Sequence, residues 1–147
     1  MKQYDVIVIG SGAGSIIADE AVAKGLKVAL VDKGPIGGTC LNLGCVPSKV
    51  LIYAADRIVE IQEAKKLGIA AEIKSIDFAS IMERMRKSRL ESQTYIRKGI
   101  TETENMAFYE REGHFVEDYG MEVDGEKIKG KKIFIASGSR PVIPPIK

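Results

Sequence analysis

The stretch Tyr4-Asp5-Val6-Ile7-Val8-Ile9-Gly10-Ser11-Gly12-Ala13-Gly14-Ser15 decides the fold. Residues 4–9 are a nearly unbroken apolar run ending on Gly10, as expected of a strand covered on both faces of a parallel sheet. Residues 14–25 are rich in Ala and Ile and end at Gly25, which predicts a helix with a glycine C-cap. Residues 26–31 read as a second strand, which stops at Asp32. Strand, helix and strand within about 28 residues make a right-handed βαβ unit. The glycines between have a steric reason. A tight turn there lets a diphosphate approach backbone amides at a helix N-terminus, where the dipole favours negative charge. Asp32 puts a carboxylate at the end of the second strand, where a ribose hydroxyl pair would lie. Ser15 stands where the third glycine of G-x-G-x-x-G is expected, and it is small enough for close helix–strand packing. Dinucleotide binding is therefore expected. The alternative is a tight turn without a ligand, and the loop alone does not separate FAD from NAD.

Further along, residues 34–47 are rich in Gly and Pro and read as a loop. Ser48 is expected to cap a helix from Lys49 to about Lys66, ended by Gly68. Asp77 is expected to cap a second long helix over 78–98, with Ile81, Met85, Ser88 and Ser92 on one stripe. Short runs at 106–110, 113–117, 120–124, 126–129 and 132–136 predict a small antiparallel meander, with Asp124-Gly125 as a turn. The tail from Arg140 to Lys147 is Pro-rich and linker-like.

With 147 residues and 16.0 kDa, the chain has room for one ordinary domain. Its 45% hydrophobic and 29% charged content excludes a disordered or fibrous chain. A net charge of +2 makes no case for nucleic acid or an anionic membrane. The basic residues Arg84, Arg86, Lys87, Arg89, Arg97 and Lys98 read as a solvated helix face balanced by Glu83, Glu91, Glu102 and Glu104. No apolar run is long enough to span a bilayer, and Val6–Ile9 is too short for a signal-peptide core. The expected location is the cytoplasm, where structural disulfides are rare.

In that setting the two cysteines, Cys40 and Cys45, read as redox-active or metal-binding. They lie in Gly37-Gly38-Thr39-Cys40-Leu41-Asn42-Leu43-Gly44-Cys45-Val46-Pro47-Ser48-Lys49. They can pair only if the backbone between them coils, and Gly44 gives the freedom for that. Pro47 and Ser48 suggest a helix start beside Cys45, where the dipole stabilises a thiolate. Other readings stay open. A structural disulfide closing so short a loop is worth only about 2 kcal/mol. Zinc wants four ligands, and beyond the two thiols only the distant His114 is on offer. Two inert buried thiols would leave the glycines and proline without a reason.

The Gly37–Pro47 stretch resembles the redox-disulfide signature of class I pyridine nucleotide–disulfide oxidoreductases. The Gly10–Gly14 loop stands at the expected distance upstream. Ala136-Ser137-Gly138-Ser139-Arg140-Pro141 is similar to the family's second flavin-binding motif. Leu41 and Ser48-Lys49 resemble the dihydrolipoamide dehydrogenase branch most, and mercuric, mycothiol and glutathione reductases share most of the pattern.

The resemblance implies a Rossmann-like α/β FAD-binding domain with a parallel sheet, a two-helix excursion and a small β-meander. It implies FAD with its pyrophosphate at Gly10, Gly12, Ala13 and Gly14 and its ribose on Asp32, where the family usually has Glu. Lys33, Gly38, Thr39 and Cys40 would be further cofactor contacts. Lys49 would reach the flavin region, the Gly113 segment would meet adenine, and Ser137 and Gly138 would approach from the last strand. Cys45 would be the thiol beside the flavin and Cys40 the interchange thiol. The parent enzyme would oxidise a lipoamide-type dithiol and pass electrons to NAD⁺, as a homodimer with an acid/base His–Glu pair. Residues 1–147 are then expected to be the N-terminal part of the FAD domain, without the NAD-binding and dimerisation domains. His114 is expected to be structural, and no metal is expected.

Overall fold

Both faces of β1 (Lys2–Ile9) are covered, which is why its sequence is apolar with little alternation. The computed structural model describes residues 1–146. On one face Val6 and Val8 join Val28 and Leu30 of β2 (Val28–Val31). They pack under Ala18 and Ala21 of α1 (Gly14–Ala23) and Ile100 of α4 (Phe78–Glu102). On the other face Ile7, Ala29 and Val31 meet Met121 and Val123 of β5 (Gly120–Val123) and Ile128 of β6 (Glu126–Ile135). Ile7 is fully buried. Ile7→Ala is expected to cost about 2–5 kcal/mol, since the packed sheet cannot collapse into the space; urea denaturation reads it.

Six strands form one sheet in the order β3-β2-β1-β6-β5-β4, with β3 at Met106–Tyr109 and β4 at Gly113–Glu117. The pairs β3–β2, β2–β1 and β1–β6 are parallel, and β6–β5 and β5–β4 are antiparallel. Only residues 110–112 join the two edge strands. Four residue steps reach at most about 14 Å, whereas five strand spacings in a flat sheet need about 24 Å. The sheet therefore curls, and its antiparallel end folds back over the Ile7 face. A Cβ on Gly113 would lie 3.3 Å from Val31 Cγ1, which shows the two ends in contact.

The α/β class and the βαβ start are as expected. Three details differ. β3 is not part of the meander; it extends the parallel side beside β2. The runs at 126–129 and 132–136 are one strand, because Gly130 continues it where Ile7 leaves no room for a side chain: a Cβ there would meet Ile7 Cγ1 at 2.9 Å. The expected loop 34–47 contains a short helix, α2 (Gly38–Asn42), and the start of α3 (Cys45–Glu63). Ser48 therefore does not cap α3. It sits inside the first turn, and its hydroxyl donates to Cys45 O at 3.0 Å. Pro47 is tolerated there because first-turn N–H groups have no intrahelical acceptor. A 3₁₀ turn (Ala64–Leu67) follows, and Gly68 ends it at φ +77°. The Asp124-Gly125 turn has both φ values positive, as a two-residue hairpin of this twist requires.

The Asp77 cap is as expected: its carboxylate accepts from Ser80 N at 3.1 Å and Ser80 Oγ at 2.6 Å. The Ser80 hydroxyl, then the Ser80 amide, hold the Asp77 carboxyl below its ordinary range. A depressed carboxyl stabilises the fold above its unfolded pKa of about 4, and that contribution fades as pH falls through the lower folded value. α4 is thus expected to loosen on acidification below about pH 4. Asp77→Ala should flatten that part of the melting-temperature profile measured by circular dichroism. The basic face of α4 is balanced as expected in part, by Lys87–Glu91 and Lys98–Glu102 pairs. Arg97 turns instead to Glu110.

Candidate functional site

β1, β2 and β6 run parallel and end side by side. β2 lies on one side of β1 and β6 on the other. Strand order reverses there, and ligands of open α/β sheets bind at such a point. Gly10 N donates to Val31 O and Ala136 N to Ile9 O, both at 2.8 Å. Gly10 has φ +104°, and a Cβ on it would lie 2.2 Å from Ala136 O. Only glycine fits. A Cβ on Gly14 would meet Val8 Cγ1 at 2.8 Å. Gly14 thus makes the close helix–strand contact, which leaves the next position free to be Ser15. Ala13 caps α1 without any side-chain hydrogen bond, and no acidic residue stands in the first turn. That end of α1 suits an anion.

The cysteine-bearing loop packs directly on this turn. A Cβ on Gly38, at φ +62°, would lie 2.6 Å from Gly12 Cα. The two stretches therefore meet backbone to backbone, a contact that requires glycine at position 38. Cys40 on α2 is disulfide-bonded to Cys45, the first residue of α3, with Cα atoms 4.9 Å apart. Both cysteines are exposed. This removes the reading of inert buried thiols. Gly44 permits the approach: a Cβ there would press on Thr39 O at 3.0 Å and Cys40 Cα at 3.3 Å. Cys45 lies where α3 carries its partial positive charge, which favours a thiolate once the bond opens.

Two buried polar residues hold these loops together, and sequence reasoning missed both. Ser11 is 3% exposed. Its hydroxyl donates to Asp32 Oδ2 at 2.6 Å and accepts from Gly37 N at 3.1 Å, while its amide also donates to Asp32 Oδ2. Asp32 Oδ1 accepts from Gly34 N at 2.8 Å. Three of the roughly four acceptor positions of this carboxylate are thus taken by the loops. Asn42 is 6% exposed, and its side chain bonds Pro35, Ile36, Gly38 and Gln93. No local pattern marks either residue. The only signal was a small polar residue inside each glycine-rich stretch.

The family described as pyridine nucleotide-disulphide oxidoreductase matches residues 4–147. The chain belongs to this family. Among relatives, a dihydrolipoyl dehydrogenase from Staphylococcus aureus is 38% identical over 145 residues, which cover 95% of this chain and 31% of that protein. A mercuric reductase from Lysinibacillus sphaericus is 35% identical, over 97% of this chain and 26% of its own length. The solved structure of the HOCl-induced flavoprotein disulfide reductase RclA from Escherichia coli superposes with a TM-score of 0.80. It shows 27% identity and covers 97% of this chain and 30% of that one. The chain thus spans about a third or less of these family members.

The expected site residues divide by position. Gly10, Gly12, Ala13, Gly14, Asp32, Gly38, Thr39 and Cys40 fall on the two touching loops. Ser137 and Gly138 follow β6 just beyond Ala136 and are exposed. Lys33 pairs with Glu112 at 2.5 Å, which holds the Glu112 carboxyl below its usual range. Lys49 is exposed in the first turn of α3 and makes no ion pair among the described residues. The space beside Gly113 is filled by Met121, Val123 and Val31 side chains, so its lack of a side chain is accounted for by packing. His114 is exposed on β4. Among the described residues no three His, Cys, Asp or Glu side chains group as metal ligands, and no helix is long and apolar enough to cross a membrane.

Proposed function

We propose that residues 1–147 are the flavin-binding, redox-disulfide part of a dithiol/disulfide oxidoreductase, and that the whole protein is a dihydrolipoyl dehydrogenase. The observation that carries the reading is the Gly12–Gly38 contact, which seats an exposed disulfide against a diphosphate-type glycine turn. The residues present fit FAD: Gly10 and Gly12 leave the backbone bare, and the uncapped start of α1 suits a pyrophosphate. Asp32 keeps about one acceptor position for a ribose hydroxyl; a bidentate contact requires the Ser11 hydroxyl to turn aside. Thr39, Lys33, Lys49, Gly113, Ser137 and Gly138 are proposed as further contacts. FAD, when bound, supplies the electron relay between the disulfide and a nicotinamide.

The chain's own part is thiol chemistry. A substrate dithiolate attacks one sulfur of the Cys40–Cys45 bond, Cys40 in this assignment. Cys45 leaves as a thiolate, stabilised by the N-terminus of α3. The second substrate thiol then attacks the mixed disulfide and displaces Cys40. The substrate is left as a disulfide, and the pair holds its two electrons. In this reading the NAD⁺ site and the homodimer contacts lie outside residues 1–147. The relatives also include mercuric and mycothione reductases at 35% identity, so the test must discriminate among substrates. The full-length protein, desalted, is expected to keep a flavin absorption spectrum that bleaches with dihydrolipoamide and recovers with NAD⁺. Bleaching only by a reduced nicotinamide, with recovery on mercuric ion or mycothione, would move the assignment to that branch. A colourless protein that does not take up FAD would sink the flavin reading altogether.

A further inference from the structure

The redox loop has an internal brace. Asn42 Nδ2 donates to three carbonyls, Pro35 O at 3.1 Å, Ile36 O at 2.9 Å and Gly38 O at 2.8 Å. With two hydrogens for three acceptors, one is shared. Because the nitrogen faces three carbonyls, the oxygen must face away, and there it accepts from Gln93 Nε2 of α4. Asn42 thus ties the end of α2 to the turn before it, and Gln93 ties both to α4. α3, which carries Cys45, packs on the same helix. So α4 is a common base for the segments bearing the two sulfurs.

The disulfide itself joins α2 to α3 only while oxidised. Once it opens, the positions of Cys40 and Cys45 rest on the remaining ties, chiefly Asn42–Gln93 and the close packing at Gly44. We propose that Asn42, anchored by Gln93, is a positioning residue that keeps the two thiols within bonding range in the reduced state and so sets the redox poise of the pair. This deepens the redox reading of the disulfide and rests on it. The physical logic is effective concentration: two thiols whose Cα atoms stay near the 4.9 Å of the bonded pair re-form their bond more readily than two that drift apart.

The test equilibrates the full chain with reduced and oxidised dithiothreitol and counts free thiols by alkylation. In that exchange dithiothreitol gives up two electrons and two protons and closes to its cyclic disulfide, and Cys40 and Cys45 take them up as two thiols. Asn42→Ala is expected to shift the equilibrium about tenfold toward the dithiol, equivalent to about 30 mV. Gln93→Ala should shift it the same way, by about threefold, the size of a weakened hydrogen bond. By linkage, melting temperature should then fall more in the oxidised form than in the reduced form. Equilibria within about twofold of wild type in both variants, roughly 9 mV, would overturn the proposal, and equal falls in melting temperature would mark Asn42 as a general stabiliser. If Asn42→Ala does not fold, Gln93→Ala decides alone. The underlying redox reading fails by a different result: full-length protein that turns over unchanged after Cys40→Ser.

Discussion

Gly10→Ala is expected to destabilise the chain by about 2–5 kcal/mol and to remove flavin retention from the full-length protein. Two costs add. The backbone at Gly10 sits at φ +104°, which an L side chain adopts at about 1–2 kcal/mol. The new methyl would stand 2.2 Å from Ala136 O, and that neighbour is backbone, with no rotamer to yield. Relief requires β6 to move off β1 at its last rung, which breaks the Ala136 N–Ile9 O bond and leaves two polar groups unpaired, about 1–3 kcal/mol more. Gly25→Ala is the control. Gly25 also has positive φ, +75°, but nothing lies within 4 Å of its missing Cβ. It should lose only the conformational part, about 1 kcal/mol. Urea denaturation of the two variants separates the cases, and equal losses would show that Ala136 does not press on the turn.

That contrast also shows which parts of this molecule can be read from the chain. Gly25 and Gly10 look alike in sequence, yet one faces water and the other faces a strand that arrives 126 residues later. The βαβ unit was legible because its information is local: an apolar run, a glycine turn, a helical period and Asp32, all within one short stretch. The Asp77 cap and the half-buried α4 stripe from Ile81 to Ser92 were legible for the same reason. The cysteine pair was legible because two thiols with Gly44 between them carry a chemical constraint of their own. What escaped is non-local. β3 joins β2 because α4 returns the chain there, not because Met106–Tyr109 says so. Gly130 looked like a break between two strands, whereas its place in one strand is decided by Ile7. Ser11 and Asn42 stood out only as small polar residues because each has partners on distant segments, Asp32 and Gly37 for Ser11 and Gln93 for Asn42. Pro47 pointed to a helix start but not to its first residue, since the first turn accepts proline at several positions.

Cys40→Ser and Cys45→Ser should separate chemistry from stability in a way that Gly10→Ala cannot. The disulfide closes a six-residue loop, and on the chain-entropy view its loss costs only about 2 kcal/mol. Each serine variant is therefore expected to remain folded, with α2 still held by Asn42. Neither can store two electrons in a disulfide, so dithiol-dependent turnover of the full-length protein should fall by at least about 10³-fold. The two variants should still differ from each other. Cys40→Ser leaves a lone thiol at the first residue of α3, where the helix dipole favours the thiolate. Cys45→Ser leaves a thiol on α2, a helix of five residues with a far smaller dipole. At neutral pH the first should be alkylated by iodoacetamide about tenfold faster than the second, since reaction follows the thiolate fraction. Both thiols are exposed, so access does not decide the comparison. Equal alkylation rates would show that α3 does not activate Cys45, and substantial turnover in either variant would take the disulfide out of the reaction.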